Sequence, residues 1–324
     1  MHIAITGAAG FLGSKLTRQL LQNGKLVGRS GKPEAISRIT LVDVNAPSGL
    51  SDPRINAMAG NISDPQTIAA IITPDTDSIF HLAAIVSGQA ETDFDLGMSI
   101  NFDATRAMLE RIRTLGTRPR MVFTSSVAVF GGPLPDSVPD TMATLPQSSY
   151  GTQKAMCELL VSDYSRRGFV DGRTLRLPTI SVRPGAPNKA ASSFASGIIR
   201  EPLNGQAAIC PVQGDTRMWL MSPQQAVHNL IHGHELDASK LGHTRTISLP
   251  GLSVTVRAMV AALERVAGAD VARRIEWNED DAIKRIVNSW PGDFEAQKAK
   301  ELGFGSDADF DSIIQAYLRD QQMT

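Results

Sequence analysis

The chain has 324 residues, enough for one large domain or a large domain with a smaller lobe, and either can bury a full core. Its 32 basic and 33 acidic residues leave a net charge of -1, so no cationic excess exists to hold nucleic acid or an anionic membrane surface. Cys157 and Cys210 stand far apart without metal-ligand spacing and suit a reducing compartment; with no basic-then-apolar leader and no apolar run of bilayer length, the expected location is the cytoplasm.

The chain opens with a strand, His2-Ile3-Ala4-Ile5, a turn, Thr6-Gly7-Ala8-Ala9-Gly10-Phe11-Leu12-Gly13, and an amphipathic helix from Ser14 to Asn23. In such a turn Gly7 lets the backbone leave the strand sharply. Gly10 lets it approach a diphosphate, and Gly13 lets the helix pack close to the strand. The unpaired N–H groups around Phe11 and Leu12 and the positive helix end then face the phosphates, so the turn is expected to bind a dinucleotide.

Gly24 to Pro33 reads as a polar surface loop, followed by a second strand, Ile39 to Val42, that ends in Asp43. A carboxylate at this strand end accepts hydrogen bonds from the adenine ribose and repels a 2′-phosphate, which favours NAD over NADP. Asp43 lies further from the glycine turn than the usual spacing of about twenty residues, and the inserted loop absorbs the surplus. A third strand, Ile55 to Ala59, runs into Gly60-Asn61-Ile62, where Asn61 and Ile62 would flank the adenine. Asp64-Pro65 then starts a helix. Ser78 to Ala84 is a fourth buried strand, and its closing residues Leu82, Ala83 and Ala84 let the cofactor lie close. His81 within it reads as a packed, hydrogen-bonded core residue.

A long helix from about Thr92 to Leu115 carries Asn101, and a fifth strand, Met121 to Thr124, ends at Ser125-Ser126. The alternation of strands and helices implies an α/β fold with a doubly wound parallel sheet. Ser149 opens a helix to about Arg167 that places Tyr150 and Lys154 four residues apart on one face. Ser126, at a carboxyl strand end where ligands bind in open sheets, completes a proton-transfer group. A lysine ammonium and a positive nicotinamide would favour the phenolate of Tyr150, which would take the proton of a substrate hydroxyl as hydride leaves. Lys154 would also hold the nicotinamide ribose, and Ser126 would hydrogen-bond the substrate oxygen.

The glycine turn, Asp43, the His81–Ala84 strand end, Asn101, Ser126-Val127-Ala128-Val129-Phe130-Gly131, Tyr150/Lys154 and Leu175-Arg176-Leu177-Pro178 together resemble the extended short-chain dehydrogenase/reductases, the relatives of nucleotide-sugar epimerases and dehydratases. The resemblance implies that Pro178, Thr179 and Ile180 border the nicotinamide and that Asn101 supports the cofactor site. Phe130 stands where the family commonly has tyrosine, and Asn61 where it has aspartate. Val127-Ala128 replaces the acidic pair of the dehydratases, which argues against dehydration. Within this family, the run Leu177 to Gly185 and the segment from Trp290-Pro291-Gly292 to Phe304 look similar to the D-erythronate dehydrogenases, which oxidise the 2-hydroxyl of a four-carbon sugar acid with NAD.

Beyond Arg183 the alternation lapses. Short strands Ala207–Cys210 and Thr216–Leu220, a helix from Pro223 to about His234, a strand at Arg274–Trp277, and helices Thr255–Ala267 and Asp309–Leu318 suggest a smaller α/β substrate lobe. The division expected is a Rossmann domain over 1–180, rejoined by about 223–250, and a mainly substrate-binding lobe over 181–324. A hydroxy acid needs a cation for its carboxylate, and Arg183 and Arg217 are the candidates, with Asn188 and Ser87 as hydroxyl partners and Thr179 between cofactor and substrate. His228, His232, His234 and His243 form no metal motif. The expected partner is a small sugar acid, in a homodimer paired through the long helices, with no metal. The alternatives are a nucleotide-sugar epimerase with tightly held NAD and a nucleotide sensor without chemistry.

Overall fold

A parallel sheet covered on both faces needs strands apolar at successive positions, and this chain supplies them. In the computed structural model, which describes residues 1–185 and 190–322, seven strands form one parallel sheet: β1 (His2–Thr6), β2 (Arg38–Asp43), β3 (Ile55–Ala59), β4 (Thr76–His81), β5 (Arg120–Ser126), β6 (Asp171–Leu177) and β7 (Thr246–Ser248). Their spatial order is β7-β6-β5-β4-β1-β2-β3. Ile3, Ile5, Leu41, Phe80, Val122 and Leu175 point to one face, under α1 (Phe11–Asn23) and a later helix, Pro223–Glu235. Ala4, Val42, Ile79, Met121 and Phe123 point to the other, under α2 (Pro65–Ile71), α3 (Ala104–Leu115) and α4 (Ser149–Arg166).

Two stretches differ from the sequence-based expectation. The segment after α1 is a short antiparallel hairpin, Lys25–Val27 with Pro33–Ala35, because Leu26 is drawn into the core beneath it. The helix expected from Thr92 is broken into Ser87–Thr92, Phe94–Gly97, a wider turn over Met98–Asp103, and α3. Asp93 causes the first break, since its carboxylate accepts from the Leu96 N–H at 3.0 Å and caps a new helix start.

A second core lies in the lobe, where Phe194, Ile198, Met218, Met259, Leu263, Ile313 and Ile314 pack together. They come from helices Phe194–Leu203, Val256–Ala267 and Phe310–Gln322 and the strand Arg217–Met221, which pairs with Leu252–Thr255 and Thr179–Ile180. The segment around Phe294 crosses back to the main sheet. It bridges Val138, and the Phe294 ring lies 5.4 Å from that of Phe130 and 5.5 Å from Trp219. No helix among the described residues is long and apolar enough to cross a membrane, and none of them form a cluster of three potential metal ligands.

Candidate active site

Strand order reverses between β1 and β4, so the helices that follow these strands lie on opposite faces and leave a crevice at the carboxyl ends. A cavity of about 240 Å³ opens there. Its floor at one end is the glycine turn: Gly7, Gly10, Phe11, Leu12 and Gly13 line it. Gly7 has φ +71°, and a Cβ at that position would sit 2.7 Å from the Ala83 nitrogen, so only glycine fits between β1 and the end of β4. Helix α1 starts at this turn with Gly10 as its N-cap and no side chain capping its N–H groups. Uncapped donors, a bare backbone and no acidic residue in the first turn fit a diphosphate.

Asp43, at the tip of β2, reaches the same turn: its carboxylate accepts from the Ala9 N–H at 3.0 Å and from the Val44 N–H at 2.7 Å. Asn61 and Ile62 follow β3 beside it, and the Asn61 side chain accepts from Ser63 N–H at 3.0 Å. These three lie outside the central cavity. Leu82 and Ala84 line the cavity; Ala83 lies behind Gly7, where its N–H donates to the Thr6 hydroxyl.

Helix α4 brings the phenol and the ammonium in. Ser148 caps it by accepting from Gly151 N–H at 3.2 Å, and Gly151 presses on the turn after β5, where a Cβ would meet the Ala128 carbonyl oxygen at 2.1 Å. This close approach carries Tyr150 to Ser126, and both line the cavity with Lys154, Pro178, Thr179 and Ile180. Lys154 is buried and donates from Nζ to the Thr124 carbonyl at 2.9 Å, with Nζ 5.7 Å from the centre of the Tyr150 ring. Burial pulls the lysine down to about 8, opposed by Cys157 and Glu158.

The phenol itself is pushed up to about 12 by burial, opposed by the Ser126 hydroxyl and then by the Arg183 guanidinium. Arg183 is therefore a further cation that favours the phenolate. The lysine is bound back to the strand and sits beside the ring, not at its oxygen.

Arg183 lines the cavity, as do Ser87 and Thr179. Its guanidinium donates to Ser192 at 3.2 Å and to Ser196 at 3.5 Å, and no carboxylate pairs with it among the described residues. Burial first, then the like charge of Arg200, brings it down to about 10. Arg217 does not reach the cavity. It is exposed, donates to the Ser253 hydroxyl at 3.2 Å, and its stem covers Gly292. Asn188 lies outside the described residues.

Asn101 does not line the cavity either. The turn that carries it points its amide at Ile85, accepting from the N–H at 2.8 Å and donating to the carbonyl at 3.1 Å, which fixes the loop after β4. His81 is buried between the hydroxyls of Thr6 and Thr105, and burial pulls it down to about 3. His232 bonds the Leu302 carbonyl at 2.8 Å.

Among the cavity residues not anticipated from sequence are Ser192 and Trp290. Trp290 had a signal, a rare tryptophan directly before Pro291-Gly292; Ser192 had none. Val127 and Ala128, after Ser126, present no titratable group to the cavity.

Residues 3–222 match the NAD dependent epimerase/dehydratase family. The chain is 59% identical over 320 residues to a D-erythronate dehydrogenase of Cupriavidus necator, covering 99% of this chain and 98% of that one. It is 47% identical over 319 residues to a D-erythronate dehydrogenase of Haemophilus influenzae, covering 98% and 99%. Among solved structures, a nucleoside-diphosphate-sugar epimerase from Agrobacterium tumefaciens superposes with a TM-score of 0.94 at 48% identity, covering 100% of this chain and 95% of that one. The uncapped glycine turn, the parallel sheet and these full-length relatives lead to one conclusion: the chain is an NAD-dependent dehydrogenase belonging to the NAD dependent epimerase/dehydratase family.

Proposed function

We propose that the protein oxidises the 2-hydroxyl of a small sugar acid, D-erythronate or a close analogue. The observation that carries this reading is Arg183, a half-buried cation that lines the cavity with Tyr150 and Ser126 and has no carboxylate partner among the described residues. NAD, when bound at the glycine turn, supplies the acceptor for the hydride on C2. Tyr150 takes the hydroxyl proton, and the Ser126 hydroxyl donates to the oxygen as it becomes a carbonyl. Lys154 holds the nicotinamide ribose, and Arg183 pairs with the substrate carboxylate while Ser87 and Thr179 face its hydroxyls. Asp43, Asn61 and Ile62 hold the adenosine half, and Leu82, Ala83, Ala84, Pro178 and Ile180 wall the rest. Residues 1–180 with 223–250 form the cofactor lobe in this reading, and the remainder of 181–324 covers the substrate.

The test is release of NADH on adding D-erythronate to the enzyme with NAD. A nucleotide-sugar epimerase, the reading favoured by the name of the Agrobacterium relative, would return the hydride and release none. NAD bound without turnover of either substrate class would point to a sensor.

Two further outcomes follow from this reading. Asp43→Ser is expected to raise the kcat/KM ratio of NADP to NAD by at least about tenfold, roughly 1.4 kcal/mol of relieved repulsion between carboxylate and phosphate. Steady-state kinetics with both cofactors checks it. The protein is also proposed to be a homodimer in the cytoplasm, where its two buried free thiols suit a reducing medium. Leu159 on α4 is 73% exposed and Phe94, before α3, 59%, which supports pairing through these helices. Light scattering should read the mass of two chains for the wild type and of one for Leu159→Glu.

A further inference from the structure

Arg183 is gripped by one face of the lobe. Ser192, Ser196 and Arg200 stand four residues apart, in the short turn Ala191–Ser193 and the helix Phe194–Leu203 that continues it, so the three share a face. The buried Ser196 hydroxyl accepts from the Arg183 backbone N–H at 3.0 Å and from Nε at 3.5 Å, and the Ser192 hydroxyl accepts from Nη2 at 3.2 Å. Arg200, itself buried and paired with Glu201 at 2.5 Å, donates from Nη1 to the Arg183 carbonyl at 2.8 Å. Ser181 stitches the preceding segment to the same helix by donating its hydroxyl to the Ala195 carbonyl at 2.9 Å. The Arg183 backbone is thus fixed at both its N–H and its carbonyl, and its guanidinium along one edge.

That edge is the one shared by Nε and Nη2. A guanidinium carries five N–H donors in a planar fork, so its other end is left over. Nη1 of Arg183 has no partner among the described residues and is not sealed off, in a side chain that lines the cavity with Tyr150 and Ser126.

We propose that Ser192 and Ser196 are positioning residues for the substrate: by holding the Nε edge of Arg183 they present its Nη1 end to the substrate carboxylate. The inference rests on the reading of Arg183 as the partner of that carboxylate. The residue type suits the task. A serine hydroxyl orients a guanidinium while leaving its charge free, whereas a carboxylate at either position would pair with it and take the place of the substrate. A long side chain ordered before the acid arrives also loses less rotamer freedom on binding, and the carboxylate is met in one geometry.

The test compares the wild type with Ser192→Ala, Ser196→Ala and the double variant, each made also in the Arg183→Met background. Steady-state kinetics with NAD are measured on D-erythronate and on erythritol, the polyol of the same four carbons. In the double variant the ratio of kcat/KM for acid over polyol is expected to fall about tenfold to a hundredfold, the cost of a misplaced recognition group, with the loss carried by KM for the acid. In the Arg183→Met background the same changes should move that ratio by less than about twofold, because the group they position is gone. If Ser196→Ala does not fold, Ser192→Ala decides by the same pair of measurements.

An unmoved ratio in a folded variant overturns the proposal, even if that variant melts earlier. So does a fall that persists undiminished in the Arg183→Met background, since the serines would then act without the guanidinium. A wild type that releases no NADH from D-erythronate sinks the dehydrogenase reading instead. Calorimetric binding of D-erythronate to the NAD-loaded protein then replaces turnover: weaker binding in the serine variants supports the positioning role, and equal affinity, or no binding by the wild type, overturns it.

Discussion

Tyr150→Phe is expected to lower kcat by about 10²–10⁴-fold, the range a positioned general base supplies, while NAD binding is retained. Phenylalanine keeps the ring that packs beneath the Lys154 ammonium and removes only the oxygen that accepts the proton. The pH profile carries a second signature. Burial holds the phenol at about 12 in the cofactor-free protein, so near neutrality nearly all of it is protonated. Oxidation needs the phenolate, whose fraction grows about tenfold per pH unit below the pKa; the wild-type rate should therefore climb as pH rises. A positive nicotinamide lowers the phenol pKa and brings that climb towards neutral pH. The alkaline loss of the Lys154 ammonium, at about 8 before cofactor binds, closes the profile from the other side. In Tyr150→Phe the residual rate should lose the acid limb. A variant that keeps both its turnover and its acid limb would show that another group accepts the proton.

What could be read from the sequence was what is local. The turn between β1 and α1 is legible because its glycines answer to contacts within a few residues and to the strand beside them. Tyr150 and Lys154 are legible because helical spacing alone puts them on one face, and Ser126 because it closes a strand. The doubly wound order follows from alternation, since parallel strands need helical crossovers. Residues delivered by tertiary packing were another matter. Ser192 and Trp290 reach the cavity from segments distant in the chain, with no period or spacing tying them to Tyr150. Arg217 and Arg183 look alike in sequence. Only the direction of their backbones decides that one covers Gly292 and the other enters the crevice. Asn101 was read as supporting the cofactor site, but spacing does not show that the wide turn at Met98–Asp103 aims its amide at the Ile85 backbone. Spacing likewise shows that Lys154 is near Tyr150, but not that its ammonium also donates to the Thr124 carbonyl or that Arg183 joins it beside the phenol.

Arg183→Met should separate substrate recognition from folding. In the proposed complex the guanidinium meets the carboxylate in a site largely closed to water, and truncating one partner of such a pair costs about 2–4 kcal/mol, or about 30- to 1000-fold in kcat/KM. The loss should be confined to acids: slow oxidation of the matching polyol, which has no carboxylate, should change far less. Arg183→Lys should recover only part of the loss, since a point charge cannot engage both oxygens as a planar fork does. Stability should move the other way. Without substrate the half-buried cation meets serine hydroxyls and is repelled by Arg200, so its partial desolvation is a cost that the folded protein carries until a carboxylate arrives. Arg183→Met is accordingly expected to melt no lower than the wild type when ligand-free, and to lose the rise in Tm that D-erythronate gives the wild type. A variant that melts well below the wild type yet keeps its preference for acids over polyols would make Arg183 a structural residue and leave the carboxylate to another group.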